Sequence, residues 1–135
     1  MAIQFSTTLR NNRMDQITST IGNAALLKLY DGTPPNNCAA ALSSNNELVS
    51  ETCGTPLAGA AASGVLTLNS ISVVTATANG TASFFRIMNS ANTTCHMQGT
   101  VTATGGGGDM TLNTTYLTTG GNVTVTSFTL TEANA

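Results

Sequence analysis

Apolar and polar residues alternate along most of the second half of the chain, from Thr81 to Glu132. Such a period of two is typical of a β-strand with one face in the core. Breaks at NSAN, GGGG and TTGG divide the stretch into four successive strands. Within 94–104, the odd-numbered residues, including Cys95, are predicted to face inward, and the even-numbered ones, including His96, outward.

Further strands are predicted ahead of this stretch. Residues 25–31 and 47–53 each form one strand, the second with a polar face that suggests a sheet edge. Residues 64–78 form two strands or one bent strand, because the parity of the apolar positions changes at Asn69-Ser70. Asn79-Gly80 predicts a hairpin turn, since both residues accept a positive φ.

Two irregular places complete the β pattern. Residues 38–46 have no period and predict a loop, and a parity change predicts a bulge near Thr126-Ser127. The count is about eight strands at a spacing typical of an antiparallel sandwich or barrel. Of these we predict an all-β fold that is an antiparallel β-sandwich, jelly-roll-like. An immunoglobulin-like sandwich also fits the spacing, but the chain has no Trp for its Cys…Trp…Cys pattern.

A single helix is predicted over residues 6–21, ahead of the strands. Ser6 or Thr7 can cap its first turn, and Gly22-Asn23 is a plausible stop. One stripe runs along it, formed by Leu9, Arg13, Ile17 and Ile21 with Met14 beside them. We therefore divide the chain into an N-terminal arm and helix (1–22) and a β-sandwich domain (23–135). The helix is expected to pack on its own domain, and residues 1–5 to extend as an arm toward a neighbour.

The composition favours a surface that is covered in an assembly. Charged residues are 7% of the chain and the net charge is −2, against about 25% charged residues in an average soluble protein. Four basic residues are too few to attract nucleic acid. No apolar run approaches the roughly 20 residues of a membrane span, and the first residues lack a signal-peptide pattern. We expect neither a nucleic-acid nor a membrane partner, and synthesis in a cytoplasm.

The three cysteines are expected to remain reduced there, as small buried apolar residues. Cys38 and Cys53 lie at the two ends of one loop-and-strand segment. Whether these two approach each other is left open by the sequence.

No catalytic, cofactor-binding or metal-binding residues are predicted, and the chain is not expected to be an enzyme. His96 is the single histidine and alternates with Cys95, so the two cannot chelate one ion. Glu47 and Glu51 would lie about 13 Å apart on a strand, too far for a glycosidase pair. Asp109 follows four glycines but lacks the other residues of a phosphate or calcium loop. The glycines are instead expected to serve a tight turn or a close approach of another backbone.

Several segments resemble small proteins encoded among the structural genes of tailed bacteriophages. They are MAIQFSTTLRNNRMDQI (1–17), FRIMNS (85–90), TCHMQGTV (94–101), GGGGDMTL (105–112) and VTVTSFTLTEANA (123–135). The resemblance implies a virion component, and among small all-β phage proteins it implies a capsid decoration (cement) protein. Such a protein would assemble in the host cytoplasm and lie on the outer capsid surface.

This hypothesis implies two partners, the major capsid protein and further copies of the chain in a dimer or trimer. The decoration protein would bridge capsid subunits and stabilise the head. Residues 54–63 form a linker of small residues with almost nothing to bury, which would be mobile alone and could become ordered against a partner. Contacts are expected at the arm, the helix and this small-residue loop, namely at Phe5, Leu9, Arg10, Arg13, Met14 and Leu57. The alternatives are a tail or head fibre component and a receptor- or glycan-binding domain. With two Tyr and no Trp, the chain offers few aromatic platforms for sugars.

Overall fold

The computed structural model describes residues 1–69, 71 and 73–133. Within them the chain forms one helix followed by eleven strands, which confirms the predicted all-β class with one N-terminal helix. The helix is α1 (Thr7–Ile21). The strands are β1 (Leu26–Tyr30), β2 (Glu47–Thr52), β3 (Val65–Thr67), β4 (Val73–Thr75), β5 (Gly80–Thr81), β6 (Phe84–Met88), β7 (Cys95–Ala103), β8 (Met110–Leu112), β9 (Tyr116–Leu117), β10 (Asn122–Ser127) and β11 (Thr129–Thr131).

Seven strands form one large sheet that is nearly barrel-shaped, in the order β2-β1-β6-β7-β8-β10-β4. Strands β11 and β3 form a two-stranded sheet, as do β5 and β9. Just beyond β4, the Thr77 N–H donates to the Leu48 carbonyl of the opposite edge strand β2, at 2.8 Å. The sheet thus curls until its edges nearly meet, instead of splitting into the two layers expected of a sandwich. Register irregularities in three strand pairs contribute to this bending, because a bulge increases local twist.

The four glycines at 105–108 allow β8 to pair with β7, the strand directly before it in the sequence. Strands β7 and β8 are parallel, although only residues 104–109 connect them, whereas parallel strands usually need a crossover of about a dozen residues or more. A Cβ at Gly106 or Gly108 would lie 2.7 or 2.9 Å from atoms of Thr102. The predicted close backbone approach at this segment is confirmed. The parallel pairing it permits was not predicted.

Of the residues of β7 predicted to face inward, Val101 is buried in the barrel interior and Met97 packs against it partly buried, whereas Ala103 is exposed. Phe85 and Ile87 of β6 are fully buried there. The Phe85 ring meets the Phe128 ring edge-on at 4.8 Å between centroids. Gly99 lies directly against Phe85, since a Cβ at this position would be 2.7 Å from the Phe85 ring. A second, smaller cluster lies beneath α1 and is formed by Met14, Ala58, Ala61 and Leu66.

Two predicted turns have different outcomes. The strands flanking Asn79-Gly80 do not form a hairpin, because β4 pairs with β10 and β5 with β9. Asn79 Oδ1 instead accepts the Thr119 N–H at 2.8 Å, so Asn79 links the segment before β5 to the connection between β9 and β10. The described part of residues 64–78 contains two strands, β3 and β4, and Ser70 of the predicted parity change lies outside the described residues. The bulge near Thr126-Ser127 is confirmed.

The connection between β1 and β2 lies across the outer face of the sheet and corrects the cysteine prediction. Cys38 in this loop is disulfide-bonded to Cys95 of β7, with 5.4 Å between their Cα atoms. The register irregularity between Ile87 and Met88 makes Cys95 the cross-strand partner of Met88, so Cys95 faces outward and not into the core. Cys53 is a buried free thiol, as expected.

Candidate partner-binding site

Helix α1 begins at a side-chain cap and ends at a glycine. The Ser6 Oγ accepts the Leu9 N–H at 3.2 Å, which pairs one of the donors that a first turn leaves free. Gly22 has a φ of 77° and donates its N–H to the Thr18 carbonyl, a conformation that costs glycine little. Both ends of the helix are confirmed where the sequence predicts them.

Polar side chains join the inner face of α1 to the β-domain. Asp15 Oδ1 accepts the Ala61 N–H at 2.7 Å, and Asn11 Oδ1 accepts the Gly64 N–H at 2.8 Å. Both acceptors face a segment between the β2 and β3 strands that would otherwise have unpaired backbone donors. The helix therefore packs on its own domain, which confirms that expectation.

Arg10, one of the expected contact residues, is engaged within the chain. Its Nη1 donates to the Glu132 carbonyl at 3.1 Å and to the Ser63 carbonyl at 3.5 Å. Gly64 makes room for this contact, because a Cβ there would lie 2.8 Å from Arg10 Nη1. Arg10 thus ties the helix to the segment after β11 and is only half-exposed.

Two other expected contact residues, Met14 and Leu57, are buried inside the chain. Met14 belongs to the cluster beneath α1, and Leu57 is fully buried in the barrel core. Residues 54–63 were predicted to be a mobile linker with little to bury. Their small side chains instead allow a close approach to the helix, and Ala58 and Ala61 are buried there. In this conformation Met14 and Leu57 contact their own domain, not a partner surface.

Phe5, Leu9 and Arg13 lie on the accessible side of the helix and arm. The Arg13 guanidinium lies over the Phe5 ring, 5.2 Å from its centroid, and forms an ion pair with Glu132. The Leu9 side chain is 45% exposed. Leu9 therefore does not belong to the buried face of the helix, although the sequence predicted it in the apolar stripe. A large apolar side chain and an aromatic–cation pair are thus presented together outside the core.

The first residues of the chain add to this accessible side. Residues 1–6 have no regular secondary structure, as expected of an arm, and Met1 and Ile3 are exposed. The sequence analysis did not include these two residues among the expected contacts, although both are apolar and precede the Ser6 cap of the helix. We define Met1, Ile3 and Leu9 as the apolar arm surface. All three are exposed and lie on the arm or in the first turn of α1, and a larger exposed apolar surface is characteristic of sites that bind a protein or a membrane.

An open groove of about 290 Å³ runs between α1 and the start of β7. It is lined by Arg13, Gln16, Ile17, Thr20, Ile21, His96 and Met97. His96 therefore faces a guanidinium, an amide, a hydroxyl and apolar groups. Proton transfer by histidine needs a proton acceptor or donor in line with it, commonly with a carboxylate to orient the ring. The residues that line the groove include no carboxylate.

The titratable groups with shifted pKa values serve local structure. The Thr100 N–H and hydroxyl both donate to Asp109 at 2.8 Å and lower the pKa of its carboxyl. The Asn46 side-chain and backbone N–H groups do the same for the pKa of Asp31. Burial raises the pKa of the Cys53 thiol to about 11, which makes it unreactive at neutral pH.

The described part of the chain offers neither a metal-binding cluster nor a membrane-spanning helix. Among residues 1–69, 71 and 73–133, no group of three or more His, Cys, Asp or Glu could hold a metal ion. In the same residues, α1 is not long and apolar enough to cross a membrane, and no other helix is present. Comparison of the chain with protein-family models, curated proteins and solved structures finds no match.

Proposed function

We propose that this chain is a capsid decoration protein of a tailed bacteriophage. In this role it self-associates on the outer surface of the head and bridges subunits of the major capsid protein. The resemblance of its segments to phage structural proteins suggests the role. The observation that carries it is the exposed apolar arm surface, which lies outside the buried core of the domain.

The arm is suited to bridging because it combines an accessible apolar segment with a fixed base. Phe5 and Arg13 hold the base of the arm against α1, and Asn11 and Asp15 hold α1 on the barrel. A neighbouring subunit that buries Met1, Ile3 and Leu9 would remove apolar area from water, at about 25 cal/mol for each Å². The free energy gained at each such contact is small, but many identical contacts over a shell add up through multivalency.

The charge balance supports repeated contacts of this kind. The net charge is −2, and most exposed strand positions are Thr, Ser or Asn. Copies placed side by side on a shell therefore repel one another weakly. The surface also has little of the cationic character that nucleic-acid binding requires.

Co-sedimentation with phage heads prepared without the protein tests the proposal. The wild-type chain should saturate the heads, and Ile3→Ser combined with Leu9→Ser should reduce occupancy by about tenfold or more. Tyr116→Ser is the matched control, because Tyr116 is 67% exposed on β9, outside the arm. Circular dichroism of each variant establishes that the fold is retained.

The copy number of the chain in mature particles separates the proposed role from its alternatives. Many copies spread over the shell support a decoration protein. A few copies confined to a vertex or the tail would identify a fibre component instead, and binding to host-surface glycans without binding to heads would identify a receptor-binding domain. Unchanged occupancy in the arm variant would refute the arm as the contact.

A further inference from the structure

The loop between β1 and β2, residues 32–46, lies against the sheet without an apolar anchor. None of its residues is buried, and Leu42, its largest apolar side chain, is 39% exposed. Burial of apolar surface is the main force that offsets the entropy of fixing a segment of this length. Specific links to the sheet must therefore hold this loop in place.

The two ends of the loop are held by local hydrogen bonds. Ser83 Oγ donates to the Gly32 carbonyl at 2.6 Å. Asn45 Nδ2 donates to the Asp31 carbonyl at 2.8 Å, and the Asn46 N–H donates to Asp31 Oδ1 at 2.7 Å. These bonds close the base of the loop, as in a compact Ω-loop, and they do not involve its middle.

The middle of the loop, residues 35–41, is linked to the sheet by two polar side chains and the disulfide. Gln98 Nε2 donates to the Pro35 carbonyl at 2.7 Å, and Arg86 Nη2 donates to the Ala40 carbonyl at 2.9 Å. Water can replace either bond when the loop lifts, so each bond adds only a modest net stabilisation. Among the described residues, the Cys38–Cys95 disulfide is the link that water cannot replace.

Charge beneath the loop opposes its closure. Lys28 and Arg86 are direct cross-strand partners, and both are nearly fully buried, at 6% and 5% exposure. Like charges opposite each other on neighbouring strands are destabilising. Lys28 is paired with Glu47 at 2.7 Å, whereas Arg86 donates to neutral oxygen atoms of Gln98, Asn37 and Ala40. Lifting residues 35–41 would return the Arg86 guanidinium to water.

We propose that the Cys38–Cys95 disulfide is a redox latch for residues 35–41. When it is formed, the segment is held on the outer face of the sheet; when it is reduced, the segment is released while the barrel stays folded. Closure proceeds by thiol–disulfide exchange with a small-molecule disulfide such as oxidised glutathione. One cysteine thiolate displaces a glutathione thiolate, and the other then displaces the second, so two protein thiols and one glutathione disulfide give the latch and two glutathione thiols.

This latch is independent of the proposed function, because it depends on contacts outside the arm and helix. It would place a rigid loop on the particle, or on the free protein, only under oxidising conditions. The exposed residues of the loop are neutral, so latching changes the shape and rigidity of that surface and not its charge. Release, by contrast, exposes Arg86 and changes the local charge.

Backbone ¹⁵N relaxation of the wild-type protein, oxidised and then reduced, tests the latch. On reduction, amide order parameters of residues 36–42 should fall from about 0.85 to below about 0.6, the range of flexible segments. Amides of β1 and β6 should keep the dispersed chemical shifts of a folded sheet, with changes limited to the neighbours of Arg86 and Lys28. Unchanged order parameters in the loop would show that hydrogen bonds alone hold it, and loss of the β1 and β6 signals would show that the disulfide supports the whole fold; either result overturns the proposal.

A variant pair provides the second measurement. Cys38→Ser combined with Cys95→Ser should give the flexible loop with or without reductant, whereas Cys53→Ala should behave as wild type in both conditions. Limited proteolysis with thermolysin reports the same opening, as cleavage before Leu42 about tenfold faster in the released form. Equal cleavage rates of the oxidised and reduced proteins would contradict a latch.

Discussion

At the scale of single residues, Gly99 shows how closely the interior is packed. A Cβ at this position would lie 2.7 Å from the Phe85 ring and 3.0 Å from Asp109 Oδ2. We expect Gly99→Ala to lower the free energy of unfolding by about 1–3 kcal/mol, because the Phe85 ring must leave its position between β6 and β7. Gly59→Ala is the control, since nothing lies within 4 Å of its Cβ, and it should be neutral or slightly stabilising. Urea denaturation of both variants measures the difference.

Asp109 gives the fold a dependence on acidic pH. Hydrogen bonds from Thr100 lower the pKa of its carboxyl below the unfolded-chain value, which is about 3.9. The ionised carboxylate therefore stabilises the fold above that value, and this contribution is lost as the pH falls through the lower folded-state pKa. Asp109→Asn should lower Tm at neutral pH, with the difference from wild type shrinking below pH of about 4.

Thermal melts across this pH range measure the effect of Asp109. Wild type retains some acid sensitivity through Asp31, whose pKa is also lowered, so the comparison rests on the difference between the two proteins. Asp109→Asn should lower the Tm of a protein that carries Thr100→Val by less than it lowers the Tm of wild type. The reason is that Thr100→Val removes the hydroxyl donor to Asp109. A Tm difference that stays constant with pH would contradict the role of the ionised carboxylate.

The sequence predicted which side chains face inward and which face outward only where the strands are regular. Phe85 and Ile87 alternate with Arg86, and their inward positions follow from that alternation. The prediction fails at Cys95 because one irregular step in the β6–β7 register reverses parity beyond it. Such a step has no signature in this stretch, and the disulfide it permits was therefore not foreseen.

At the scale of elements, α1 separates residues that stabilise the domain from residues that are free for a partner. Met14 is 8% exposed and Leu9 is 45% exposed on the same helix. We expect Met14→Ala to lower the free energy of unfolding by about 2–5 kcal/mol, because it leaves a cavity beneath the helix. Leu9→Ala should change it by no more than about 0.5 kcal/mol. Equal losses in chemical denaturation would mean that Leu9 also packs on the domain.

The limits of helix α1 and most strands could be predicted because they depend on local chemistry. Ser6 and Gly22 mark the helix ends by hydrogen bonding and positive φ, which the residue types themselves favour. The pairing of strands depends instead on contacts far apart in the sequence. Asn79-Gly80 has the composition of a hairpin turn, yet its flanking strands find other partners. The four glycines at 105–108 likewise indicated a close approach but not a parallel pair.

At the scale of the whole molecule, the near-closure of the sheet limits exposed edges. An open sheet leaves unpaired backbone groups along both edge strands, which can recruit further chains. Here the edges come together at Thr77 and Leu48, through the backbone bond and a second bond from the Thr77 hydroxyl at 3.3 Å. The arm, and not a sheet edge, is therefore the part of the described chain through which we propose assembly. The sequence already indicated the arm as a contact, whereas the meeting of the sheet edges depends on the complete fold.

The disulfide should also contribute to the stability of the whole molecule, separately from its effect on the loop. Cys38 and Cys95 are 57 residues apart in the sequence, and closing a loop of that size in the unfolded chain corresponds to about 4 kcal/mol in the chain-entropy model. Because the loop buries no residue of its own, the folded barrel loses little when the bond is cut, and most of the effect arises in the unfolded ensemble. Cys38→Ser combined with Cys95→Ser should therefore lower the urea midpoint and raise the m-value, as expected when an unfolded chain becomes less compact. Wild-type protein measured with and without reductant is the control for the substitutions, and an unchanged midpoint would show that the unfolded chain is not restrained by this bond.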